Sequence, residues 1–561
     1  MERMSKMNKN KSNNKTVAIA VIGVVIVFGL VLAAGIKLMK NSSDGYSGMT
    51  LEEMLEDVTI NTATPTKASV SLSDPSLYDE LPDIDKYPLS VRGYGDINIE
   101  IFAPSEKAAK NKDGWLIDAA NDFNSQNITV SNNKTVSISV RCMSSGQGAD
   151  YIISGKYLPD LYTPSNALFG EYAMANCSNL SLYCDKLVGN TAGILVRKNS
   201  GYTDVSKVIG DVVNGKINIG YTNPQTSAAG LNLLMQILIN ADKNDMFSKT
   251  ATDYFSKFNS NIPFIAYTTQ QMRDSAGSGI LDGMVSEYQS YINDDNLKSA
   301  YDFLPFGIRH DGPVYIVDPD SVNNYKQEAV KAVMDYLLSD EMQENAKKYG
   351  FNQNNDYKSA FTASGSQVSQ ALDVYKSFKD GGRDIAAVFV ADCSGSMAGD
   401  AISQLRTSLS NGMTYIKENN YVGLISYSND VTIEVPMAKF DLTQKAYFQG
   451  AVNNMQANGG TSSYEAVLTA IKMINDLKKD APEVKPMIFL LSDGIANGEY
   501  TLDDTKSIIQ HSKIPVYTIG YTSSADTDEL KKLSNINEAA SINADSDDIV
   551  YKIKSLFNSQ L

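Results

Sequence analysis

The sequence predicts an α/β protein in three parts: an N-terminal transmembrane helix, a two-lobed α/β region and a C-terminal doubly wound, Rossmann-like domain. Three observations carry this. The run from Val17 to Ile36 contains no charged residue. From about residue 93 onward, short apolar strands alternate with helical stretches, an order that builds parallel sheets covered on both faces. Near the end, two continuous apolar runs, DIAAVFVAD and KPMIFLLSD, each close on a carboxylate, as central strands buried on both sides do.

Each part follows in order. Arg3, Lys6, Lys9, Lys11 and Lys15 precede the apolar run VAIAVIGVVIVFGLVLAAGI. A helix of that length spans about 30 Å, the thickness of a bilayer core. Residues 1–16 therefore read as a basic cytoplasmic tail and 17–38 as a signal anchor. The basic flank stays inside, which makes this a single-pass cell-membrane protein with its bulk extracellular. A cleaved signal peptide is the alternative; LAAG supplies small residues, but no A-x-A site closes the run. Residues 39–92 are rich in Ser, Thr, Pro and acidic residues without sustained apolar periodicity, the composition of a stalk. TLEEMLEDV at 50–58 is a short helical exception.

Residues 93–378 alternate strand and helix: INIEIFAP then WLIDAANDFN, VSISVRC then SSGQGADYIISG, with LPDLYTPS, AGILVRK, KINIGYT and GPVYIVD as further strands. Trp115 falls on the core side of its helix. That length exceeds one comfortable sheet and points to two lobes. Ligands of open α/β sheets bind beyond the carboxyl ends of the strands. Those ends carry Ser105, Ser144, Ser145, Thr163, Ser165, Thr222, Asn223, Thr226 and Ser227. Hydroxyls and free N–H groups at helix starts suit a small polar or anionic solute; the same residues also serve as plain helix caps.

The pieces SSGQGADYIISGKYLPDLYTPS, TAGILVRKNS, GKINIGYTNPQTSAAG and DGMVSEYQ, with AVKAVMDYLLSDEMQENAKKYGF near the end, resemble the bacterial type 2 periplasmic (extracellular) solute-binding proteins. The resemblance implies two lobes closing on a ligand in their cleft.

Residues 384–561 form the last domain. DCSGS leaves one central strand, GGTSS precedes a helix and LLSDG leaves the second central strand. In a doubly wound sheet these ends share one crevice, which gathers Asp392, Ser394, Ser396, Thr461 and Asp493. Two carboxylates and three hydroxyls are hard oxygen donors, suited to Mg²⁺, Mn²⁺ or Ca²⁺ rather than zinc or copper. Gly395 permits a tight turn between the serines. The set is similar to the metal-ion-dependent adhesion site of von Willebrand factor A (VWA) domains, whose pattern DxSxS, distant Thr and distant Asp it carries in full. The resemblance implies that Asp392, Ser394 and Ser396 begin the site and that Thr461 and Asp493 complete it. It also implies that an acidic side chain of a protein partner fills an open coordination position. Ser492 is expected to hold a water beside the ion, and Cys393 to fill space on the sheet side.

The whole-chain chemistry narrows the function. Acidic residues outnumber basic ones 65 to 49, for a formal net charge of −16, which disfavours nucleic acid as a partner. The two histidines, His310 and His511, argue against a His-based zinc site and against a Ser–His hydrolase. Cys142, Cys177, Cys184 and Cys393 form no CxxC pair; Cys177 and Cys184 are read as either a disulfide or two thiols. No nucleophile–base pair or catalytic motif is legible, so no enzyme is expected. The reading is a membrane-anchored extracellular binding protein. Its alternative is a solute receptor or assembly subunit of a membrane transport or sensing complex.

Overall fold

The computed structural model describes residues 49–70, 76–110, 114–266, 272–273, 281–318, 324–494, 497–521, 527–537, 539 and 541–544. The predicted cytoplasmic tail and membrane helix, and the final helix SDDIVYKIKSLFN, lie outside the described residues. Among the described residues no helix is long and apolar enough to cross a membrane.

Among the described residues, three sheets organise the chain. The first lobe is built on a sheet ordered Leu89–Val91, Lys134–Cys142, Ile97–Ala103, Leu161–Tyr162, Val314–Val317 and Leu180–Cys184, with Thr129–Val130 beside Lys134–Cys142. The second lobe holds a five-stranded sheet ordered Phe264–Ala266, Ile219–Thr222, Gly283–Glu287, Thr191–Arg197 and Tyr301–Arg309. Leu180–Cys184, Gly283–Glu287 and Tyr301–Arg309 were not legible as strands. Tyr301–Arg309 carries Pro305 and a shifted register, features that interrupt strand periodicity. The two lobes share one apolar cluster that runs from Phe102 and Tyr162 to Ile194, Val196 and Tyr221. Trp115 is fully buried in a second cluster of the first lobe.

The third sheet is seven-stranded: Asn61–Thr62, Val431–Lys439, Tyr421–Tyr427, Ile385–Asp392, Lys485–Ser492, Val516–Tyr521 and Ser541–Ala544. Ile385–Asp392 is buried at every position. Its residues alternate between two cores: Ile385, Ala387, Phe389 and Ala391 face one, Val388 and Val390 the other. This is period-two burial with helices on both sides, as a doubly wound sheet requires. Phe389 stacks on Phe489 at 5.2 Å, and Phe489 on Tyr517 at 5.4 Å. Each such ring contributes roughly 1.5–3 kcal/mol by burial.

Residues 49–70 and 76–91 do not form the predicted stalk. Thr50 and Glu53 close a capping box on the single helical turn Leu51–Met54, and Met54 and Leu55 are buried in the C-terminal domain's core. Asn61–Thr62 then pairs parallel with Val431–Lys439 as a seventh strand. Ala68 N donates to Ala446 O at 3.0 Å. Gly450 is required here, because a Cβ would stand 1.9 Å from Thr66 O. Leu89–Val91 belongs to the first-lobe sheet, and Arg141 Nη1 donates to Ile84 O at 3.1 Å and to Tyr87 O. The segment fails as a free spacer because its few apolar residues find partners far away in sequence, which no local pattern reveals.

Candidate functional site

The rim of the third sheet brings most of the predicted oxygen donors together. Asp392 ends its strand in register with Tyr427, and Ser492 follows the Ala391–Leu491 pair on the other side. Parallel registration thus sets a hydroxyl on each flank of one carboxylate. Asp392 Oδ2 accepts from Ser492 Oγ at 2.6 Å and from Tyr427 OH at 3.1 Å, while Oδ1 accepts from Ser394 N at 2.8 Å. Ser394 and Ser396 hydroxyls lie 3.0 Å apart; Ser394 is buried and Ser396 exposed. Gly395 N donates to Gly459 O at 3.0 Å, and Asn458 N to Cys393 O at 2.8 Å. These two bonds seat the loop before Thr461 on the DCSGS turn. Thr461 is buried, and its N–H donates to Asn497 Oδ1 at 2.7 Å.

Asp493 is 6% exposed, and its Oδ1 is buried without a hydrogen-bond partner. Burial raises the Asp392 carboxyl above the usual carboxylate range; hydrogen bonds from Ser394 and Ser492 oppose the rise, and the charge of Asp493 adds to it. Two buried carboxylates that repel each other, one with an orphaned oxygen, fit a cation. Among the described residues no three His, Cys, Asp or Glu side chains gather as a metal site; the rim offers two carboxylates with hydroxyls instead. Cys393 is buried in the core as expected, and burial pushes its thiol up to about 12. The structure gives Ser492 a direct hydroxyl contact with Asp392. Tyr427, which sequence reasoning missed, contributes the other; YVGLISYS reads as an ordinary strand, and only the register with Asp392 reveals its role.

The predicted solute residues meet at the seam between the lobes, where most are already satisfied. Ser144 caps its helix by accepting from Gln147 N. Ser145 and Ser165 hydroxyls lie 3.3 Å apart. Thr222 Oγ1 donates to Ser227 Oγ at 2.9 Å, Thr226 Oγ1 to Asn223 O at 3.4 Å, and Gln225 N to Asn223 Oδ1 at 2.9 Å. Ser105 begins the short turn that carries Glu106 and Lys107. The lobes touch directly: Gly146 N donates to Thr226 O at 2.9 Å, and a Cβ on Gly146 would stand 2.0 Å from Gln225 O.

A buried ionic network that the sequence did not disclose occupies this seam. Ser165 Oγ donates to Glu106 Oε1 at 2.7 Å, and Lys107 Nζ to Thr163 Oγ1 at 3.1 Å and Pro164 O at 3.0 Å. Burial raises the Glu106 carboxyl, the charge of Glu287 adds to the rise, and Lys107 opposes it. Burial also lowers the Lys107 ammonium to about 8. His310 Nδ1 lies 2.9 Å from Glu287, and its Nε2 faces Asn166 Nδ2 at 2.9 Å and Asn232 Nδ2 at 3.2 Å. Backbone donors hold both amide oxygens, Leu168 N on Asn166 and Ile308 N on Asn232. Both amides therefore turn their NH₂ groups to Nε2, which must accept; the ring proton sits on Nδ1 and goes to Glu287. All four cysteines are thiols, so Cys177 and Cys184 are not bridged.

Comparison with known proteins matches residues 387–557 to the von Willebrand factor type A domain and residues 108–352 to the family described as bacterial extracellular solute-binding protein. The chain carries a VWA domain and a solute-binding-like region. Among curated relatives, inter-alpha-trypsin inhibitor heavy chain H3 of Mus musculus is 31% identical over 173 residues, covering 28% of this chain and 19% of that protein. The Homo sapiens H3 chain is 29% identical over 171 residues, again covering 28% of this chain and 19% of that one. The chain thus spans about a fifth of the length of these relatives. Among solved structures, a periplasmic thiamin binding protein aligns with a TM-score of 0.39 and 12% identity, over 52% of this chain and 98% of that one. A von Willebrand factor type A protein from Catenulispora acidiphila aligns at 0.29 with 18% identity, over 31% and 42%.

Proposed function

We propose that this chain is a membrane-anchored extracellular binding protein whose VWA domain takes hold of a protein partner through a divalent cation. The observation that carries the reading is the buried, partnerless Asp493 Oδ1 beside the buried Asp392 carboxyl. Asp392, Ser394, Ser396, Thr461 and Asp493 would hold Mg²⁺, or Mn²⁺ or Ca²⁺ in its place. The bound cation supplies positive charge and an open position for an acidic side chain of the partner. Ser492 and Tyr427 orient Asp392 by holding its Oδ2, and the Gly459–Thr461 loop, seated on Gly395, positions Thr461. Exposed Ser396 marks the side from which a partner approaches. The role is binding rather than catalysis.

The apolar run after a basic flank supports a single-pass anchor with an extracellular bulk. Residues 49–70 lie on the VWA domain, and the apolar run ends at Ile36. The intervening chain reaches at most about 45 Å, so this domain is presented close to the membrane rather than at the tip of a stalk. The test is capture of surface proteins by the purified extracellular chain with and without EDTA. Capture lost in EDTA and restored by Mg²⁺ is expected; capture indifferent to EDTA contradicts the reading.

One observation favours the second reading, a solute receptor or assembly subunit. Gln147 Nε2 and Asn223 Nδ2 are buried donors without partners, beside the starts of the helices Ser145–Ser154 and Ala228–Ala241. They suit an anionic or polar solute at the seam. A solute that raises Tm in wild type but not in Gln147→Leu would support it; a screen of oxyanions and sugars without any shift would remove it.

A further inference from the structure

At the end of the VWA sheet opposite the metal rim, the strand beginnings of two domains face one cavity of about 1070 Å³. Asn218, Ile262 and Pro263 stand just before strands Ile219–Thr222 and Phe264–Ala266 of the second lobe. Arg383, Lys485 and Pro515 stand at the starts of three VWA strands. The charge of this cavity runs against that of the chain. Among the described residues its lining holds Arg383, Lys485, Lys506, Lys513 and Lys532 against a single acid, Asp503, although acids outnumber bases 65 to 49 overall.

Among the described residues no ion pair involves any of the five. Arg383 Nη2 donates to Ser260 O at 2.7 Å, and its Nε is buried with no partner. Burial lowers the Lys485 ammonium to about 8; the Arg383 guanidinium lowers it further, and Asp380 opposes them. Held together in this way, like charges cost free energy in the empty protein. Solvation alone would explain scattered surface lysines, but these line a concavity walled by Ile262, Pro263, Pro486 and Ile536. Apolar walls with a few convergent polar groups make a ligand pocket. Its floor is fixed: Gly381, at φ +66, sits so close to helix Lys249–Ser260 that a Cβ would stand 2.5 Å from Ser260 Cα.

We propose that this interdomain cavity binds a small organic polyanion, its apolar body against Ile262, Pro263 and Pro486 and two or more negative charges on Arg383, Lys485 and the lysines of the facing helices. Contact with both walls makes the ligand a clasp between the second lobe and the VWA domain. The site is remote from the metal rim and independent of the function proposed above.

The test uses the full extracellular chain in EDTA at low salt, with ATP as the organic polyanion and pyrophosphate as the charge without the apolar body. ATP is expected to raise Tm by several degrees at millimolar concentration and to bind at least tenfold tighter than pyrophosphate in calorimetry. In Lys485→Gln/Lys513→Gln, affinity should fall at least tenfold while the ligand-free Tm does not fall, because repelling charges have been removed. The variant's Mg²⁺ titration should match that of wild type, which separates this site from the rim. Absence of any ATP shift, or undiminished affinity in the variant, overturns the proposal. Equal affinity for pyrophosphate and ATP overturns the role of the apolar wall.

Discussion

At the scale of single residues, free energy is concentrated in buried charges. Lys379 is buried at the junction of the second lobe with the VWA domain. Burial lowers its ammonium to about 7; Lys417, Lys485 and Lys376 add to the fall, and Asp380 opposes it. The unfolded chain keeps that proton up to the ordinary lysine range, so above pH 7 it binds more protons than the folded protein. Stability therefore rises with pH there, by at most about 1.4 kcal/mol per pH unit for one group. Cys142 and Cys393, pushed up to about 12 by burial, contribute the opposite slope once the unfolded thiols ionise. The window for measurement is thus pH 7 to 8.5. Urea unfolding should show a smaller rise with pH in Lys379→Met than in wild type; equal slopes would contradict the placement. Asp392, Ser394 and Ser396 were legible as neighbours because their alternate spacing on one turn suffices to gather them. Glu106, Glu287 and His310 were not, since the lobes bring them together from 23 to 204 positions apart in the sequence and no short motif encodes such a meeting.

At the scale of elements, the segment 49–70 changes the picture most. Its composition reads as solvated spacer. It becomes structure because Met54 and Leu55 enter a core assembled some 400 residues later, and because Val431–Lys439 would otherwise be an open edge. Edge strands left bare invite pairing with other chains, and Asn61–Thr62 covers part of this one. Gly450→Val would force the helix Leu442–Asn454 against Thr66 O. A loss of about 1–3 kcal/mol is expected from such overpacking. Limited proteolysis should then cut within 49–70 in the variant before wild type; identical digestion patterns would contradict the docking. The central strands were readable from their apolar runs. Tyr301–Arg309 was not, because Pro305 and its register shift break the alternation that marks a strand.

At the scale of the whole molecule, the VWA domain, the two lobes and the 49–70 segment form one connected body. Arg383 reaches Ser260 across the junction, and Lys417 pairs with Asp380 in the connector. One end of the VWA sheet carries the acidic rim and the other the basic interdomain cavity, a strand's length apart. The central claim concerns the rim: two buried carboxylates that repel each other in the bare protein are relieved by a divalent cation. Calorimetric titration of metal-free protein with MgCl₂ tests it most directly, with Asp493→Asn as the control. The account predicts a saturable one-to-one heat in wild type that disappears in Asp493→Asn while the variant stays folded by circular dichroism. No heat in wild type with Mg²⁺, Mn²⁺ or Ca²⁺, or an unchanged heat in the variant, would contradict it.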